Sequence, residues 1–177
     1  MKQLAYLTDV HLEEPFPIKV GVNAKNNWEV ILEDVKKRGI SEIVLGGDLG
    51  EPETNQWLFQ SLSDFKVNVT LGNHDVYKEV AKHHHHPAFK GESELYYTIT
   101  EGGFKQIYLD SSIGMISDKQ YQWFEKQLIT DQKIILFIHH AVFPVDSLID
   151  RKHCLKGREK IQELLIKSGK EVVIFSG

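Results

Sequence analysis

The stretch "EIVLGGD", residues 42–48, decides how this chain is read. Ile43, Val44 and Leu45 form a short continuous apolar run closed by two glycines, the pattern of a strand buried on both faces. Its end supplies Gly46, Gly47 and Asp48. A carboxylate at the C-terminal end of a buried strand stands where α/β sheets place their sites. Taken singly, an Asp in that position is more often a helix cap or turn residue. Its weight comes from the recurrence of the same arrangement elsewhere.

Outward from that strand, strands and helices alternate. Residues 3–9 ("QLAYLTD") are an apolar run of strand type. Trp28, Ile31, Leu32 and Val35 repeat at i, i+3, i+4 and i+7, which predicts a helix with one apolar face, stopped at Gly39. Trp57, Leu58 and Leu62 predict a second helix, and Val67, Val69 and Leu71 a strand. Residues 95–100 and 105–110, separated by Glu101-Gly102-Gly103-Phe104, carry a hairpin signal, so an antiparallel element interrupts the βα rhythm. Ser117 followed by Gln120 forms a capping box that opens a helix through Tyr121, Phe124 and Leu128. "KIILFI" (Lys133–Ile138) is another buried strand. Ile161, Leu164 and Leu165 mark a last helix, and Val172–Phe175 a terminal strand. The class is α/β with a mixed sheet, in a single domain over residues 1–177.

The strand ends carry the chemistry. Asp9 and His11 follow the first strand, and residues i and i+2 of an extended chain point to one side, so a carboxylate and an imidazole can meet one ion. The third strand ends in "LGNHD", residues 71–75: Gly72 for a sharp turn, Asn73 as a neutral oxygen, His74 as a titratable proton, Asp75 as an acceptor that orients it. "KIILFI" runs into His139-His140, of which one could be a satisfied core histidine. Four strands ending in oxygen or nitrogen donors on one edge of the expected sheet form a joint signal that no single match gives.

Composition narrows the function classes. With 21 Lys and Arg, 25 Asp and Glu and a formal charge of -4, no basic surface for a nucleic acid polymer or an anionic membrane is suggested. No apolar stretch approaches the roughly 20 residues that span a bilayer. A single cysteine, Cys154, fits a reducing compartment, and the expected location is cytoplasmic. Cys154 has no neighbouring motif and is read as structural. The run His83–His86 reads as a solvated loop near the "GNHD" turn, and Arg151, Lys152 and His153 as a solvated basic turn.

With Asp9-Val10-His11, Gly47-Asp48, Gly72-Asn73-His74-Asp75 and the later His139-His140 in this order, the chain resembles the calcineurin-like metallophosphoesterases. The phrases "YYTI", "IYLDSS" and "SDKQYQWFEKQL" look like the branch that contains bacterial cyclic-nucleotide phosphodiesterases. The resemblance implies an αββα sandwich with mixed sheets and a dinuclear centre of divalent ions, Mn²⁺, Fe²⁺ or Zn²⁺. By the same resemblance Asp9, His11 and Asp48 hold one ion, Asp48 bridges to the second, and Asn73 and His139 serve that second ion. His139 is preferred to His140, although His139-His140-Ala141 lacks the proline that often follows in the family, and the choice stays open at this point. His74, oriented by Asp75, would stabilise phosphoryl charge or protonate the leaving oxygen.

The family's last motif is Gly-His-x-His, and "VVIFSG" reaches only its glycine, Gly177. The expectation is therefore a C-terminally incomplete domain, lacking later strands, with weak or partial metal occupancy and an exposed sheet surface through which homo-oligomers form. The implied substrate is a small phosphodiester, with a cyclic nucleotide as the case suggested by the branch. The alternatives are a phosphomonoesterase or nucleotide pyrophosphatase on the same scaffold, and a non-catalytic interaction module.

Overall fold

The computed structural model describes residues 3–89 and 93–177. The elements, in chain order, are β1 (Ala5–Leu7), α1 (Pro15–Lys19), α2 (Ala24–Lys37), β2 (Glu42–Leu45), α3 (Asn55–Ser61), β3 (Lys66–Val69) and α4 (Tyr77–His83). There follow β4 (Tyr97–Glu101), β5 (Phe104–Leu109), α5 (Asp118–Gln127), β6 (Lys133–Ile138), α6 (Leu148–His153), α7 (Arg158–Ser168) and β7 (Val172–Phe175). There are two sheets, as the αββα sandwich implied by the resemblance requires. The first, β1-β2-β3, is wholly parallel; the second, β4-β5-β6-β7, has β4 antiparallel to β5 and the rest parallel.

Side-chain alternation in the second sheet explains why the sheets stack. Tyr97, Tyr108, Phe137 and Phe175 are cross-strand neighbours in register and form one aromatic row, with ring centroids 4.4, 4.8 and 5.3 Å apart. This row faces the first sheet, where Tyr6 stands 5.9 Å from Phe137 and 5.3 Å from Phe175. The intervening residues Ile107, Leu109, Ile134, Leu136 and Ile138 point the other way and pack with Phe124 and Leu128 of α5 and Ile161 and Leu165 of α7. Both faces of the strands are buried, so the sequence reads as near-continuous apolar runs rather than as alternation. The result is an αββα sandwich, with α2 and α3 on the first sheet and α5 and α7 on the second.

Several polar groups inside the sandwich are paired. The Tyr97 hydroxyl accepts from Val69 N–H and donates to Val69 O, both at 3.0 Å, and so links the two sheets. Asn68 donates to Glu42 at 3.1 Å, and Tyr108 to Gln106 at 2.7 Å. In α2, Asn23 caps the helix by accepting from Asn26 N–H, while Trp28, Leu32 and Val35 are buried. Ile31, expected on the same stripe, is exposed. Trp28 donates to Ser61 at 2.9 Å and ties α2 to α3.

The Ser117 hydroxyl caps α5, but the capping box is only half formed. The Gln120 side chain turns inward and bonds the backbone of Asp110 on both sides. Cys154 is exposed rather than part of the core. No helix among the described residues is long and apolar enough to cross a membrane.

Candidate metal centre

The first sheet's ladder continues past β1 and β2 as loop, and this continuation carries the first donors. Gly46 N–H donates to Leu7 O at 2.7 Å, Asp9 N–H to Gly47 O at 3.1 Å and His11 N–H to Asp48 O at 3.0 Å. Here the backbone leaves ordinary conformational space. Asp9, His11, Glu13 and Asp48 are the non-glycine residues with positive φ among those described, at 54°, 48°, 57° and 54°. Left-handed conformations are uncommon outside glycine and collect at functional sites. Three of these four are residues that the sequence nominated as ligands.

Two glycines allow the loops to approach. A Cβ on Gly47 (φ 98°) would lie 2.5 Å from Gly72 N and 2.9 Å from His139 Nδ1, and one on Gly72 would collide with the Asp48 carboxylate. Into this space β6 delivers His139 from the second sheet. Its Nδ1–H donates to Gly46 O at 2.9 Å, since a carbonyl only accepts, and its Nε2 lies 3.3 Å from Asp48 Oδ2.

Asp9, Asp48 and His139 thus hold donor atoms within 4.8 Å of one another. His11 Nε2 adds to them, 3.6 Å from Asp9 Oδ1 and 3.9 Å from Asp48 Oδ2. His74 donates its backbone N–H to Asp48 Oδ1 at 2.9 Å and brings Nε2 to 4.0 Å from Asp48 Oδ2. Asn73 lines the same cleft, whose volume is about 740 Å³. His140 also borders it, but its Nδ1 is engaged with Ser111 Oγ at 2.9 Å and its ring stands at 88° to that of His139. It is His139 that faces Asp48.

The electrostatics follow from this crowding. Burial opposes ionisation of Asp48, yet the hydrogen bond and charge of His139 and the His74 N–H hold its carboxyl below the ordinary range. Asp9 is held low in the same way, against burial, by His11, Thr8 and His139. The Asp9 carboxylate raises His11 to about 9, helped by Glu14 and opposed by burial. His139 is buried, which disfavours its charge, but Asp48 raises it. Two carboxylates and two imidazoles at this spacing are a mixed N/O donor set suited to divalent first-row ions, and an ion bound by these atoms competes with their protons.

One role expected from the sequence is overturned. Asp75 does not orient the His74 imidazole. Its carboxylate accepts from the N–H groups of Asp48, Leu49 and Gly72 at 2.9, 2.9 and 2.8 Å, because the tight turns at these residues expose amides that need an acceptor. The carboxylate that meets the imidazole is Glu14, whose Oε2 lies 3.0 Å from His74 Nδ1. Sequence reasoning missed Glu14; the available signal was its place three residues after His11.

The histidine run also differs from expectation. His83 ends α4, while His84 stacks on Phe59 at 5.0 Å and the His86 ring lies tilted against Tyr97 at 4.4 Å, so two of the four pack inward, and none lines the cleft. Of residues 151–153, only His153 borders it.

A profile of the calcineurin-like phosphoesterase family matches residues 3–177. Among solved structures, a dimetal phosphatase from Danio rerio superposes with a TM-score of 0.73 over 98% of this chain and 87% of that one, at 11% identity, a likeness of fold. A search of curated protein sequences finds no match.

Proposed function

The chain belongs to the calcineurin-like phosphoesterase family, whose members are phosphoric ester hydrolases, and on that premise we propose that it hydrolyses a small phosphodiester, a cyclic nucleotide being one such substrate. The observation that carries this reading is the convergence of Asp9, His11, Asp48 and His139 from two sheets on one cleft that His74 also enters. In this reading Asp9, His11 and Asp48 hold one divalent ion, and Asp48, Asn73 and His139 the second. Bound there, the ions supply Lewis-acid charge to the phosphoryl oxygens and lower the pKa of the attacking water.

The protein's own groups do the rest. Asp48 gives Oδ1 to the His74 N–H, which leaves Oδ2 aimed at the centre. His74 turns Nε2 towards the leaving oxygen and, as an imidazolium with hydrogen on both nitrogens, would donate the Nε2 proton to it. A diester is favoured over a monoester or pyrophosphate by the walls of the cleft. Among the described residues its lining includes no lysine or arginine to clamp a more highly charged phosphate, whereas Phe16, Val20, Val22, Val145 and Ile149 offer apolar surface to a second organic group. The single, free cysteine supports a reducing compartment as its location.

The test loads wild type and Asp48→Ala with Mn²⁺, dialyses both, and counts metal per chain by elemental analysis. Hydrolysis of bis(p-nitrophenyl) phosphate is then compared with that of p-nitrophenyl phosphate, and cyclic nucleotides with linear pyrophosphates. The expected result is metal retained and diester cleaved by wild type alone. Preference for the monoester or pyrophosphate would replace the diester assignment, and bound metal without any turnover would indicate a non-catalytic interaction module.

A further inference from the structure

We propose that Glu14 is the positioning residue for both His11 and His74, a single buried carboxylate that sets which ring nitrogen of each faces the centre. The inference rests on the phosphoesterase reading for its catalytic consequence and on geometry alone for the contact. Glu14 Oε2 lies 2.9 Å from His11 Nδ1 and 3.0 Å from His74 Nδ1, and the residue is 8% exposed. The two rings meet edge to face, 5.0 Å between centroids and 84° between planes. Their Nε2 atoms point the opposite way, 3.9 and 4.0 Å from Asp48 Oδ2.

A carboxylate oxygen in this setting accepts, so both Nδ1 atoms must carry hydrogen. This fixes Nε2 of His11 as the ligand atom and Nε2 of His74 as the atom that meets substrate. Partners of this kind hold ring orientation and tautomer at metal-bound histidines. Here one partner serves two imidazoles with different tasks. The local chain is shaped for it: His11 and Glu13 take positive φ, Glu14 N–H returns to His11 O at 3.4 Å, and Glu14 becomes the extended N-cap of α1. That sharp turn brings a carboxylate under His11, and the loop after β3 brings His74 down on the same oxygen.

The alternative use of these atoms is direct ligation, since His11, Glu14 and His74 also form a three-donor group. It would need hydrogen-free Nδ1 atoms. Long-range ¹H–¹⁵N correlation spectra of the imidazoles in zinc-loaded protein separate the two. Wild type is expected to show Nδ1–H on His11 and His74. Zinc on either Nδ1, or an Nε2–H tautomer at His74, would overturn the proposal. In Glu14→Ala the His74 ring is expected to lose its fixed tautomer, whereas Glu14→Gln, whose amide oxygen still accepts, keeps it. An unchanged His74 pattern in Glu14→Ala would also overturn it.

At saturating metal, Glu14→Ala should lower kcat on the diester about 10- to 100-fold and Glu14→Gln less. On a His74→Ala background the alanine change should add only the smaller loss that runs through His11; a full additional loss there would overturn the positioning of His74 by Glu14. Should wild type cleave no ester at all, the phosphoesterase reading fails while the tautomer result still decides the positioning.

Discussion

Replacing Asp75 by alanine removes the acceptor of three backbone N–H groups at once, those of Asp48, Leu49 and Gly72. Leaving a buried donor unpaired costs about 2 kcal/mol, so the three together come to about 6 kcal/mol. Against this stands the cost of the buried charge. Burial, with Asp48 nearby, raises Asp75 from 3.8 to about 6 despite the three amides. At 1.36 kcal/mol per pH unit, ionising it in the folded protein costs about 3 kcal/mol that alanine does not incur. The expected net loss at pH 8 is therefore about 3 kcal/mol, a large share of a typical 5–15 kcal/mol.

The assay is urea unfolding in EDTA, where the midpoint should fall by about 1–2 M with an unchanged slope. Asp75→Asn keeps one oxygen for two of the amides and sets an NH₂ against the third, so about 1–2 kcal/mol is expected to be lost. The sign with pH is also fixed. A raised folded pKa means that the ionisation cost is absent below 3.8 and complete only above about 6, so the gap between wild type and Asp75→Ala widens in acid. Wild-type midpoints in both variants, together with lost ester hydrolysis, would refute the tie and return Asp75 to a role in the chemistry.

His84 gives a prediction of opposite sign. Burial, then the charges of His86 and His85, lowers it from 6.5 to about 4, so the unfolded chain takes the proton first and stability falls as pH drops from 6.5 towards 4, by about 3 kcal/mol in full. His84→Phe keeps the stack on Phe59 and should remove most of that loss between pH 7.5 and 4.5; equal acid losses in both proteins would count against this. Gly72→Ala pushes a methyl against the Asp48 carboxylate and should weaken metal binding about tenfold or more in a chelator competition, an unchanged affinity meaning that Asp48 moves aside freely. Tyr97→Phe deletes the hydroxyl that bonds both the N–H and the O of Val69, and should cost about 2 kcal/mol in urea unfolding. A loss under about 0.5 kcal/mol would show that water replaces it.

What the sequence revealed depended on how local the signal was. That Asp9, Asp48, Asn73 and His139 line one cleft was legible because each sits just after a short apolar run, and a strand that ends in a turn exposes its next side chains. The hairpin of β4 and β5 was legible from Gly102-Gly103 for the same reason. The split into two sheets came from the family resemblance and not from the residue pattern, because β5 and β6 bury both faces and nothing in "KIILFI" tells which residues meet helices and which meet Tyr6. The helix α1, five residues with prolines at 15 and 17, is too short for periodicity to register. Partners joined only by tertiary structure were invisible: Glu14 with His74, Asp75 with the amides of residues 48, 49 and 72, and His84 with Phe59.

The centre also lies on a structural seam. Asp9 and Asp48 extend from the first sheet and His139 from the second, and the hydrogen bond from His139 to Gly46 O crosses between them, as the Tyr97 hydroxyl does farther away. A cation held by Asp48 and His139 would therefore join the two layers as well as serve the reaction. Ligand that binds only the folded chain stabilises it, by about 2.7 kcal/mol at a hundred times Kd. The left-handed turns at Asp9, His11 and Asp48 work against this, since each holds a backbone that would relax elsewhere if its partner were lost. Asp75 accepts from the Asp48 N–H at one of these turns, and Glu14 meets the His11 ring at another. Preorganisation of the candidate donors thus draws on two carboxylates outside the expected ligand set, and the metal affinity proposed for this cleft should fall when either is removed.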